Sequence, residues 1–119
     1  MLLEDIFEKS ASHLLKQGKT SHLKNLDSTC AYRGDDGAMC AIGCLIDDEA
    51  YDFVIEGKSF DMPEVERALR SSGINFDDDQ FIYALLADLQ NIHDEYKPEM
   101  WLHQLYRLAD RYQFKMVGV

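Results

Sequence analysis

The chain is short of positive charge. Twelve Lys and Arg stand against 22 Asp and Glu, a formal net charge of −10. Such a balance repels phosphate backbones and anionic lipid heads, so neither direct nucleic-acid binding nor membrane binding is expected. A protein partner with a basic surface is the natural expectation. Long apolar runs are missing as well: no stretch approaches the roughly 20 apolar residues that a membrane span needs. Met1-Leu2-Leu3 is followed at once by Glu4 and Asp5, without the basic start and apolar run of a signal peptide. Cysteine is scarce and odd in number, at three, so the thiols cannot all pair within one chain. A cytoplasmic protein with reduced thiols is the consistent expectation. No repeat, low-complexity stretch or linker divides the sequence.

What is present suits one globular domain spanning residues 1–119. Apolar residues make up 46% and charged residues 29% of the chain. A chain of this size can bury about two-thirds of the surface its unfolded form exposes, so it needs no staple. Leu3, Ile6, Phe7, Ser10, Ala11, Leu14 and Leu15 recur at helical spacing and predict a helix over 3–17, closed by Gly18. Thr20 to Ser28 reads as a polar connector anchored by Leu23 and Leu26, with His22 facing solvent.

The stretch from Thr29 to Asp48 holds all three cysteines and three glycines. Thr29 to Arg33 suits a pleated surface, Gly34-Asp35-Asp36-Gly37 is turn chemistry, and Ala38 to about Ile42 reads as a return strand. A β-hairpin is therefore expected here. Asp47 and Asp48 read as caps of a short helix through Glu56, with Tyr51, Val54 and Ile55 on one face and Gly57 closing it. Asp61-Met62-Pro63-Glu64 starts another helix, ended by Gly73. Asp77 with Gln80 repeats that logic before the seam Ile82, Leu85, Leu89, Ile92, Tyr96. Pro98 opens a last helix lined by Trp101, Leu102, Leu105, Leu108, Ala109 and Tyr112. The expected fold is α+β, mainly α: about five helices packed around one short β-hairpin.

Several residues could carry chemistry. Cys40 and Cys44 share a face, but zinc sites favour two close-spaced pairs, and no C-x-x-C occurs. Whether Cys30 joins them depends on hairpin register. A cysteine nucleophile would need His93 or His103 within hydrogen-bond reach. His93-Asp94 could hold a divalent ion only with further ligands. Arg33 reads as a fork of donors for Asp47, Asp48 or Glu49, or as an anchor at a binding surface. Four acidic clusters stand out: Asp35-Asp36, Asp47-Asp48-Glu49, Asp77-Asp78-Asp79 and Asp94-Glu95. They serve as helix caps or, if gathered on one face, imitate a phosphate path that fits a basic groove.

The run Cys30-Ala-Tyr32-Arg33-Gly34-x-x-Gly37-x-x-Cys40-Ala41-x-Gly43-x-Leu45-Ile46-x-Asp48-Glu49-x-Tyr51, then Glu56-Gly57, resembles a motif of small hypothetical proteins of tailed bacteriophages and bacteria. Leu89-Gln90-x-x-His93-Asp94 before a Trp-containing last helix is similar to that family too. The resemblance lends a setting rather than a reaction: a small protein that binds and modulates a host factor, such as a defence nuclease or an RNA-guided complex. The sequence therefore reads as a non-enzymatic binding protein without cofactor or metal. Its binding residues would be Arg33, Asp35, Asp36, Asp47, Asp48, Glu49, Asp77, Asp78 and Asp79. The alternative is a small enzyme or metal-binding domain centred on Cys40, Cys44, Arg33 and His93.

Overall fold

The computed structural model describes residues 1–23 and 30–116. Its architecture is helical. Helix α1 spans Leu3–Gln17, α2 Pro63–Ser71, α3 Ile82–Glu95 and α4 Trp101–Tyr112. Short 3-10 turns lie at Asp35–Gly37, Gly43–Leu45, Phe53–Ile55, Phe76–Asp78 and Pro98–Met100. No helix among the described residues is long and apolar enough to cross a membrane.

The periodic segments fold as their spacing dictates. Helix α1 buries Ile6, Phe7, Ser10, Ala11 and Leu14, and Gly18 closes it at φ 65° with its N–H on the Leu14 carbonyl. Helix α3 buries Ile82, Leu85, Leu89 and Ile92, as its seam requires. Pro98 opens a 3-10 turn that runs into α4, whose Trp101 is fully buried and donates its indole N–H to the Tyr96 carbonyl at 3.0 Å. Leu102, expected on the inner face of α4, is 48% exposed. Helices α1, α3 and α4 pack on one another around one buried cluster, and α2 packs on the Phe53–Ile55 turn.

Helix starts are less faithful. Met62 rather than Asp61 precedes α2, and the Asp61 carboxylate accepts from Tyr83 instead. Asn75 caps the Phe76–Asp78 turn, Asp79 accepts the Phe81 N–H, and α3 begins only at Ile82. The helix expected from Asp47 to Glu56 is a turn followed by three 3-10 residues, with Val54 52% exposed.

The β-hairpin is overturned, and with it the α+β class: the described residues contain no strand. The expected anchor Leu26 and the first strand residue, Thr29, lie outside the described residues. The physical reason is where the backbone groups of 30–42 find partners. A hairpin would pair them with each other. Here the Met39 N–H and C=O both bond the Gln17 side-chain amide, at 2.9 Å each, and the Ala41 carbonyl accepts from Ser10 Oγ at 2.8 Å. Glu56 takes the N–H groups of Tyr32 and Arg33, at 2.9 and 3.0 Å. Gln90 Oε1 takes that of Ile42 at 3.3 Å. Side chains from three distant places thus satisfy a segment that needs no partner strand. The Gly34–Ala38 turn keeps hairpin-like bonds, Gly34 N–H to Ala38 O at 2.7 Å and Ala38 N–H to Asp35 O at 3.2 Å, while Ala31 and Asp35 donate their N–H groups to the Ser21 and His22 carbonyls. Gly43 fits this arrangement because a Cβ there would overlap the Tyr32 carbonyl.

Candidate functional site

Chemistry-bearing side chains converge where the 30–42 segment meets α3. Gln90, His93 and Asp94 sit at i, i+3 and i+4 on that helix and so share a face. His93 is fully buried and stacks on Trp101 with ring centroids 5.7 Å apart. Its Nε2 accepts the Ser21 backbone N–H at 3.0 Å. A backbone N–H can only donate, so Nδ1 carries the imidazole proton and donates it to Asp94 Oδ1 at 2.7 Å. Gln90 Nε2 donates to Asp94 Oδ1 at 2.9 Å and to Cys30 Sγ at 2.8 Å. The neighbouring Cys40 thiol, together with burial, pushes Cys30 well above the usual thiol range.

A cavity of about 400 Å³ opens over this network, lined among others by Cys30, Tyr32, Phe60, Gln90, Asn91 and Asp94. Tyr32 donates its hydroxyl to the Lys58 carbonyl at 2.6 Å. Burial pushes its ionisation upward, so it stays a neutral donor.

The donor set has metal-ligand character: Cys30 Sγ, a His93 ring nitrogen and an Asp94 oxygen lie within 4.8 Å of one another. The histidine does not suit the role. A metal on Nδ1 would leave the proton on Nε2, facing the Ser21 N–H, whereas a ligating imidazole points its other nitrogen at an acceptor. Nucleophilic catalysis fares no better. The lone pair that could take a proton from a thiol is spent on Ser21, and Cys30 is held protonated.

Cys44 and Arg33, named in the other expected centre, are each engaged on partners of their own. The Cys44 thiol donates to the Ala41 carbonyl at 3.2 Å, and burial pushes it up to about 12. Arg33 is a clasp: its guanidinium bonds the Asp48 carboxylate and the Ile46 carbonyl and lies 5.1 Å from the Tyr51 ring centre. Arg33 Nε is buried without a partner among the described residues. His22 is exposed and bonds Thr20 Oγ1.

The acidic clusters are at the surface. Asp36, Asp47, Asp48, Glu49, Asp77 and Asp78 are exposed, and Asp35 and Asp79 are partly so. Asp48 pairs with Arg33; among the described residues no basic side chain pairs with Asp36, Asp47, Glu49, Asp77 or Asp78. Gln90, Glu56 and Ser21 are the functional residues that composition and charge did not mark. The signal for Gln90 was its helical spacing to His93 and Asp94; Ser21 and Glu56 carried none.

The chain matches no protein-family model, no curated protein and no solved structure.

Proposed function

We propose that this chain is a non-enzymatic binding protein that docks on the basic surface of a protein partner through its exposed carboxylates. The observation that supports it is the set of exposed acids, Asp36, Asp47, Glu49, Asp77 and Asp78, none of which pairs with a basic side chain among the described residues. Carboxylates that cap or clasp contribute to folding; carboxylates left open to solvent contribute field. With a formal −10 that field draws cationic surfaces and disfavours phosphate backbones, so the partner is a protein rather than nucleic acid.

Arg33 has a supporting part in this reading. It fixes Asp48 beside Asp47 and Glu49, and so holds that acidic corner in one geometry. The likeness of the Cys30–Tyr51 motif to small phage and bacterial proteins supplies the setting: the cytoplasm of a bacterial host, and a host factor such as a defence nuclease or an RNA-guided complex as the partner modulated.

Capture from bacterial lysate, followed by affinity measurement with the purified partner, tests this. Binding should weaken as salt rises, because exposed charges are screened over about 10 Å at 0.1 M. It should be lost in a D47K/E49K/D77K variant that melts like the parent. An affinity indifferent to salt and to these reversals overturns the reading.

A further inference from the structure

The cavity beside α3 has a wall whose donors are spent and whose negative charge is not. Gln90 uses both protons of its amide nitrogen, on Cys30 Sγ and Asp94 Oδ1, and its Oε1 takes the Ile42 N–H. The Tyr32 hydroxyl proton goes to the Lys58 carbonyl. Among the described residues Lys58 is the one basic residue on the wall, and its ammonium lies 3.6 Å from Glu64 Oε1. Asp94 is the opposite case. Its Oδ1 takes two hydrogen bonds, from His93 Nδ1 at 2.7 Å and Gln90 Nε2 at 2.9 Å, while Oδ2 has no partner among the described residues. The side chain is 24% exposed. Ser21 fixes His93 and Ile42 fixes Gln90, so this carboxylate is held in place before any ligand arrives. A group ordered in advance loses little freedom on binding.

Apolar surface lines the same cavity. Ala87 and Asp94 are seven residues apart on α3 and so share a face. The Phe60 ring packs on Tyr83 and Phe76, with centroids 5.0 and 6.5 Å apart. A volume of about 400 Å³ suits a small molecule.

We propose that this cavity binds a small primary amine in its ammonium form. The ammonium donates to Asp94, and a short apolar body lies against Phe60 and Ala87. An ammonium carries donors and no acceptor, which matches a wall of spent donors and an open carboxylate oxygen. A carboxylate ligand would meet Asp94 with like charge. An alcohol can bond the same oxygen, but without the gain that charge gives the bond. The site is separate from the exposed acids of the proposed docking surface, and either reading can fail without the other.

Titration of the full chain, labelled with ¹⁵N, with benzylamine tests this through amide chemical shifts. Saturable binding is expected, with shifts at 57–60 and 87–94. Benzyl alcohol should bind about tenfold or more weakly, and benzoate should not bind. Asp94→Asn should weaken benzylamine by about tenfold or more. That change also alters the bonds to His93 and Gln90, so Ala87→Leu is the second variant. It leaves the network untouched and fills the cavity, and benzylamine binding should be lost in a chain that still melts cooperatively. Asp77→Lys, at the surface, should bind benzylamine as the parent does. Equal affinity for the alcohol, binding that survives Ala87→Leu, or shifts confined to 35–36, 47–49 and 77–79 overturn the proposal. A lysine-bearing peptide that binds in the cavity more tightly than benzylamine also overturns it, because the ammonium would then belong to a protein partner's side chain.

Discussion

The Ser21 backbone donates its N–H to Nε2 of His93 across 3.0 Å inside the core. That one bond sets the tautomer, and the tautomer sets the chemistry. With the proton on Nδ1, His93 presents Asp94 with a donor and has no lone pair left for a metal or a thiol. The ring therefore works as a tie between the segment after α1 and helix α3, 72 residues apart in the chain.

His93→Phe isolates that tie. Phenylalanine keeps a ring face for Trp101 but offers no acceptor, so the Ser21 N–H is left buried and unpaired. The expected loss is about 1–3 kcal/mol of unfolding free energy. His93→Ala should cost more, because it adds a cavity beside Trp101 to the same lost bond. Urea denaturation of both variants checks this; an unchanged midpoint for His93→Phe would remove the tie from the account.

Glu56 is the second point where one side chain replaces a strand. Its carboxylate accepts the N–H groups of Tyr32 and Arg33 and the hydroxyl of Tyr51, the last at 2.8 Å. Hydrogen bonds to a charged acceptor contribute about 1.5–3 kcal/mol each. Glu56→Gln keeps the shape but turns one acceptor into a donor that faces an N–H or the Tyr51 hydroxyl. It should destabilise by about 2 kcal/mol, and hydrogen exchange at Tyr32 and Arg33 should quicken. Exchange at the parent rate would show that water serves these donors equally well.

Gly43→Ala should be among the most damaging single-methyl changes in the chain. The added Cβ meets backbone, the Tyr32 carbonyl and Cα, and backbone cannot swing aside as a side chain does. A loss of about 3 kcal/mol or more is expected from such strain. Thermal melting decides it. Gly18→Ala is the comparison, since a Cβ there meets nothing and suffers only its φ of 65°.

These sites mark the boundary of what the residue pattern reveals. Helices α1, α3 and α4 were legible because their apolar residues recur at helical spacing and their buried sets follow it. The 30–42 segment was not, because Thr, Cys and Tyr before a glycine turn are the composition of a hairpin. What prevents one is remote: Gln17, Glu56 and Gln90 occupy the groups a return strand would need. Local propensity cannot register a competitor tens of residues away. At the site, the helical spacing of Gln90, His93 and Asp94 was readable, while the meeting of Cys30 with Gln90 depended on a path that only tertiary packing fixes.

Alkaline pH should unfold this protein earlier than its neutral stability suggests. The Cys44 thiol ionises near 9.0 in a model peptide but is pushed up to about 12 by burial in the folded chain. Its folded pKa is raised, so its contribution is fully present below about 9 and is lost as pH climbs towards 12. Within that window the native state holds a proton that the unfolded chain has given up, and stability falls by up to about 1.4 kcal/mol per pH unit from this group. Tyr32 and Tyr51 shift the same way, each chiefly through burial, and steepen the fall. Urea midpoints taken between pH 8 and pH 11 measure the slope. Cys44→Ala removes the thiol from both states and should flatten it while lowering stability at neutral pH. A slope that Cys44→Ala leaves untouched would mean that the thiol ionises alike in the folded and unfolded chain.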